Sequence, residues 1–159
     1  MSVVAYETEH AGAGCLLAWT EGAGKRSREH SREHLLLPLR EESVTLLRDT
    51  LLRLCGRYDL DVQAVGDFEL AATEAFSNGV RHGSCPADGV IEARLLVGGE
   101  TARLELQYPG APFALHPPQL PDPLATSGRG RFLMAVLTDQ VDYEFFDGLT
   151  RITLLKQWR

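Results

Sequence analysis

The stretch from Asp67 to Arg81 constrains this chain most, because one helix there must satisfy two opposite demands. Phe68, Ala72, Ala75, Phe76 and Gly79 recur at helical spacing and form a packing side. Asp67 precedes them as the expected N-cap. Glu74 and Asn78 stand four residues apart, one turn along another face, and Arg81 and His82 continue that polar stripe. A hard cation such as Mg²⁺ takes oxygen ligands, and an Asn carbonyl supplies one. A Glu one turn away can hold a water or accept a proton. Taken alone, the stripe reads as the solvated face of an amphipathic helix.

A second motif changes that balance. Ser127-Gly128-Arg129-Gly130-Arg131-Phe132 places two glycines just before an apolar helical run, Gly130 to Leu137. Glycines at a helix start let backbone N–H groups approach an anion, and a helix N-terminus favours negative charge. Arg129 and Arg131 add cationic donors suited to phosphate. Between the motifs, Tyr108-Pro109-Gly110 marks a tight turn after a strand.

In this order and spacing, with Gly148-Leu149-Thr150 before the last strand, the chain resembles the GHKL (Bergerat-fold) ATPases. Within them it is most similar to the anti-sigma-factor serine/threonine kinases of the RsbW/SpoIIAB type, over about residues 34 to 156. The resemblance implies ATP and Mg²⁺ as cofactors, with Asn78 on the metal and Glu74 orienting or deprotonating the attacking hydroxyl. It implies nucleotide or partner contact for Arg81 and His82, with capping by Gly83 as the alternative. Gly128 and Gly130 would give backbone donors to the phosphates. Arg129 would touch a phosphate or stay solvated. Gly110 would shape the adenine end, and Thr150 would lie near the adenine or be an ordinary strand threonine.

One position departs from the family. There, an Asp-x-Gly turn accepts a hydrogen bond from the adenine amino group, whereas Tyr108 stands in the Asp slot here. Strand parity supports this alignment: Ala102, Leu104, Leu106 and Tyr108 share one face, and Arg103, Glu105 and Gln107 the other. Loss of a charge-assisted bond costs about 1.5–3 kcal/mol, roughly ten- to hundredfold in affinity.

The remaining pattern predicts an α+β two-layer sandwich, a mixed, mostly antiparallel sheet of four or five strands with helices on one face. Residues 1–33 form a polar N-terminal extension and 34–159 the ATPase domain. Ala13 to Trp19 suggests a short strand in that extension. The extension ends in a tandem tetrapeptide, Ser27-Arg28-Glu29-His30 and Ser31-Arg32-Glu33-His34, which reads as surface-exposed. His30 and His34 suit a metal only if helical, and no third ligand is visible. Leu35 to Leu39 reads as a strand, with Pro38 suggesting an edge. Glu41 to Cys55 has helical spacing and Gly56 ends it. Val90 to Val97 and Thr101 to Gln107 form a hairpin, and Val141 to Phe146 and Arg151 to Leu155 a second one. Proline-rich 111–127 is a loop of lid type.

Net charge is −6, from 16 basic and 22 acidic residues, which argues against direct nucleic-acid binding. No apolar run is long enough for a membrane helix. Cys15, Cys55 and Cys85 show no metal-ligand spacing and suit a reducing, cytoplasmic setting. The resemblance implies a homodimer, with a sigma factor and a STAS-type anti-sigma-factor antagonist as partners. The competing expectation is a protein-binding module of the same fold with weak or no catalysis. A metabolic or stress-response ATPase unrelated to sigma factors is a third reading.

Overall fold

Alternation of buried and solvated residues along four long strands builds the sheet that carries this fold. The computed structural model describes residues 6–7, 30–84, 89–116 and 128–158. The elements are β1 (Tyr6–Glu7), β2 (Ser31–Pro38), α1 (Val44–Cys55), α2 (Val62–His82), β3 (Val90–Val97), β4 (Thr101–Pro109), α3 (Arg129–Leu137), β5 (Gln140–Phe146) and β6 (Leu149–Gln157). A single 3₁₀ turn, Glu41–Ser43, leads into α1. The strand order is β1-β2-β3-β4-β6-β5. Every described pair is antiparallel. The expected α+β sandwich is therefore present, with six strands rather than four or five because the two-residue β1 adds to the edge.

The core lies on one side of that sheet. Leu35, Leu37, Ile91, Ala93, Leu95, Leu104, Leu106, Ile152 and Leu154 are buried there. They meet Leu47, Leu51 and Leu54 of α1, Phe68, Ala72, Ala75 and Phe76 of α2, and Met134 of α3. The predicted packing side of α2 is thus the buried one. Parity along β4 holds too: Ala102, Leu104, Leu106 and Tyr108 are buried. The opposite face is polar, with Arg94 paired to Glu92, Arg103 to Glu105, and Arg151 to Glu144.

Several local expectations change. The motif helix starts at Val62, not Asp67, and Asp61 caps it by accepting from the Ala64 N–H at 2.8 Å. Its first turn projects from the core, with Val62 86% exposed, so no apolar periodicity announces it. Asp67 instead accepts from the Gln63 side chain, one turn earlier.

The second tetrapeptide is not an exposed tract: Ser31 to His34 opens β2. Glu33 faces the core at 3% exposure, and Arg53 of α1 reaches it at 2.8 Å. Ser31 Oγ lies 3.2 Å from the Tyr58 hydroxyl. His34 Nε2 sits 2.8 Å from Glu92. His34 is therefore in a strand, and the helical metal pair with His30 does not form. No group of three or more His, Cys, Asp or Glu side chains placed to hold a metal occurs among the described residues.

β2 is not the outermost strand, since β1 pairs with His34 and Leu35. Pro38 closes β2 opposite Val90, beyond the stretch that β1 pairs. Two hairpins match expectation. Gly98 N–H donates to Thr101 O in the first, and Asp147 and Gly148, both at positive φ, turn the second. Thr150 falls inside β6 rather than ahead of it. The suggested strand at 13–19, the cysteines at 15 and 85 and lid residues 117–127 lie outside the described residues. No described helix is long and apolar enough to cross a membrane.

Candidate nucleotide site

Two helices bring the polar stripe and the glycine motif together. Glu74 and Asn78 are half-buried on α2. Gly130, in the first turn of α3, lies directly on them. A Cβ there would sit 2.6 Å from Glu74 Oε2 and 3.5 Å from both side-chain polar atoms of Asn78. With glycine there the Glu74 carboxylate can sit this close; a Cβ would push it back. Gly128 precedes the helix at φ 87°, a left-handed conformation that favours glycine, and swings the chain into α3. Thr138 closes α3 by donating to Met134 O at 2.6 Å. Two motifs some fifty residues apart thus form one cluster: a carboxylate, a carboxamide and the N-terminal turn of a helix.

Ser77 anchors the stripe from the side, with its hydroxyl 3.2 Å from Glu41 Oε2. Arg81 and His82 are exposed in the last turn of α2, where cations favour the helix dipole. Gly83 N–H donates to Gly79 O and ends the helix there. Neither side chain belongs to the contact between Glu74, Asn78 and Gly130. Arg129 is exposed at the first position of α3.

Arg131 does not join the phosphate end. It lies over the rings of Phe113 and Tyr143, 5.8 and 5.9 Å from their centroids. It also donates to His116 O at 3.0 Å and so ties the 111–116 segment to α3. Phe113 meets Tyr143 and Phe145 edge-on. Sequence reading missed this cluster. Its one available signal was the parity that puts Val141, Tyr143 and Phe145 on a single side of β5.

The other end of the site is built from β4 and β6. Tyr108 and Thr150 are opposite each other in register. Gly110 N–H donates to Gly148 O at 3.0 Å and joins the end of β4 to the β5–β6 turn. The Tyr108 ring is wedged under α2: a Cβ on Gly79 would lie 3.1 Å from its Cδ1 and Cε1. On its other side, a Cβ on Gly110 would lie 3.4 Å from its Cε2 and 2.8 Å from Thr150 Oγ1. Tyr108 is 3% exposed, and burial, helped by the nearby Tyr143 phenol, pushes its pKa up to about 12. Tyr143 is also raised by burial, against the lowering pull of Arg131. Thr150 is 1% exposed, and its hydroxyl has no hydrogen-bond partner among the described residues.

These residues can be tested against Mg²⁺ and ATP. The phosphate end fits: the space a Cβ of Gly130 would fill is bounded by the Asn78 and Glu74 oxygens, and an α-helix begins beside it. At the base end an unpartnered buried hydroxyl, Thr150, is available, but a phenol stands where a carboxylate acceptor was expected.

Comparison with known proteins bears on the family and the fold. The histidine kinase-like ATPase domain family matches residues 37–156. The serine-protein kinase RsbW of Bacillus pumilus (strain SAFR-032) is 28% identical over 127 residues, covering 72% of this chain and 78% of that protein. The serine-protein kinase RsbW of Listeria monocytogenes serovar 1/2a (strain ATCC BAA-679 / EGD-e) is 25% identical over 132 residues, covering 76% and 84%. A crystal structure of RsbU and RsbW domains from Mycobacterium tuberculosis superposes with a TM-score of 0.59 at 19% identity, over 80% of this chain. The chain spans about a third of that solved protein, at 33%, and the likeness concerns the fold.

Proposed function

The chain belongs to the histidine kinase-like ATPase domain family, and on that premise we propose that it is an anti-sigma factor with serine/threonine protein kinase activity toward an anti-sigma-factor antagonist. The observation that carries this reading is the seating of Gly130 on Glu74 and Asn78, which brings a carboxylate, a carboxamide and a helix N-terminal turn together from two distant motifs. The names of its RsbW relatives support the kinase class.

In this reading Asn78 offers its carbonyl oxygen to Mg²⁺. Gly128, Arg129 and Gly130 present donors to the phosphates. Glu74 orients or takes the proton of the antagonist hydroxyl, at which ATP supplies the phosphoryl group. The work left to the protein is positioning and charge neutralisation. Arg81 and His82, exposed beyond Asn78, are proposed to contact nucleotide or partner. Phosphorylation would release the antagonist and free this protein to hold its sigma factor. A homodimer, a cytoplasmic setting and a catalytic domain spanning 34–159 belong to the same proposal.

A second reading is favoured by one observation. The Tyr108 ring is buried between Gly79 and Gly110. If that ring excludes the base, the protein is a silent module that sequesters its partner without phosphorylating it.

Calorimetric titration with ATP, with and without Mg²⁺, separates the two. Micromolar, Mg²⁺-dependent binding, followed by phosphate transfer to the antagonist, is expected of the kinase. No binding at millimolar nucleotide would establish the silent module instead.

A further inference from the structure

A purine-binding site selects its base by the hydrogen-bonding sense of the groups that face the base edge. At the β4–β6 end of the proposed site, the buried polar side chains among the described residues are hydroxyls. Tyr108 and Thr150 are paired across β4 and β6, both buried, and the Thr150 hydroxyl has no partner among the described residues. Tyr143 brings a second phenol, and a third hydroxyl, close enough to influence Tyr108. Nearby backbone donors are already used: Gly110 N–H by Gly148 O, and Ser84 N–H by Pro109 O. Of the acids nearest in sequence, Glu105 lies on the opposite face of β4 paired with Arg103, and Asp147 is exposed in the β5–β6 turn.

From these observations we infer that this site does not discriminate between 6-amino and 6-oxo purines, and that guanosine and inosine triphosphates bind it about as well as ATP. The inference rests on the nucleotide-binding reading above and narrows its substrate class.

The physical argument concerns donors and acceptors. A carboxylate only accepts, so it matches the amino group of adenine and opposes the carbonyl oxygen of a 6-oxo purine. A hydroxyl rotates and serves as donor or acceptor. A site whose buried polar groups match one partner rejects the mismatched one by orders of magnitude, because the mismatch leaves them unpaired. Hydroxyls escape that penalty with either base. Tyr108 keeps its proton throughout the physiological range, since its pKa lies near 12, so it remains a donor as well as an acceptor.

The test is calorimetric titration of the full chain with the Mg²⁺ salts of ATP, GTP and ITP. The expected result is dissociation constants within about tenfold of one another. Tyr108→Asp should turn the site toward ATP by about ten- to hundredfold relative to GTP and ITP. Tyr108→Phe keeps the ring that packs on Gly79 and removes only the hydroxyl. It should weaken ATP and GTP alike, by about fivefold to tenfold. Thr150→Val serves as the matching probe on the facing strand.

A wild-type preference for ATP above tenfold would overturn the inference and leave the kinase proposal standing. So would unchanged binding in both Tyr108→Phe and Thr150→Val. Absence of binding by all three nucleotides would overturn the inference and the nucleotide-binding reading together.

Discussion

Replacing Gly130 by alanine should separate stability from catalysis. The added Cβ would lie 2.6 Å from Glu74 Oε2, and ordinary contact begins at 3.4 Å. The carboxylate must therefore retreat by about 0.8 Å, and it can, because it ends a flexible side chain. Asn78 already stands at ordinary contact, 3.5 Å away, and need not move. The backbone at Gly130 is helical, so alanine is compatible there and restricts the unfolded chain. Such a substitution adds about 0.4–1 kcal/mol of stability. For a chain of this size that raises the melting temperature by roughly 1–4 °C.

Catalysis should move the other way. Displacing a reacting group by about 1 Å costs on the order of a hundredfold in rate. Mg²⁺-dependent ATP binding should stay within about threefold of the parent, since Asn78 keeps its place. The assays are thermal denaturation, calorimetric titration and single-turnover phosphate transfer to the antagonist. Transfer at the parental rate, with the fold intact, would refute the placement of Glu74 at the reacting centre. A melting point lowered by several degrees would refute the claim that the new contact is relieved by a side chain alone.

Three other outcomes follow from the same geometry. Asn78→Ala should abolish the Mg²⁺ dependence of nucleotide binding, read by titration with and without the cation; an unchanged dependence would remove Asn78 from the metal. Glu74→Gln should keep nucleotide within a few-fold but lower transfer by about 10²–10⁴, the range for a general base, measured by radiolabel transfer to the antagonist. Alkaline pH should destabilise the fold. Burial raises Cys55 from 9.0 to about 11, and Tyr108 rises from 10.0 to about 12. Their contribution is complete below pH 9 and is lost as the pH climbs from 9 toward 12, because the unfolded chain releases those protons first. Denaturant titrations at pH 8, 10 and 11 would show it, and a midpoint constant across that range would contradict the burial of both groups.

Much of this molecule was legible in its sequence, and the exceptions have physical causes. Strand alternation located β3 at Val90–Val97 and set the parity that buries Tyr108. Helical spacing found the buried side of α2 because Phe68, Ala72, Ala75 and Phe76 pack the core. The true start of α2 was hidden because its first turn contributes little to that core, and Asp61 caps it through a local bond. The role of Ser31 to His34 was hidden for a different reason. A buried Glu33 breaks the apolar alternation, and Arg53, its partner, comes from another element. Likewise the pairing of Gly130 with Glu74 was implied only by resemblance, since no local pattern links residues so far apart. Arg131 read as a phosphate ligand by its charge alone, whereas two aromatic rings and a carbonyl oxygen claim it.

The sheet order also sets a timetable for synthesis. Pro38 pairs with Val90 and Ser31 with Val97, so β2 emerges from the ribosome well before β3, its long partner, exists. At roughly 5–20 residues per second the nascent strand waits on the order of seconds, while α1 and α2 form from local contacts. β6 enters between β4 and β5, and it is the last of the described strands to be made. Thr150 reaches Tyr108 only at that step. A nascent chain halted before residue 149 already owns Glu74, Asn78 and Gly130, but the strand that seats Thr150 against Tyr108 has yet to be translated.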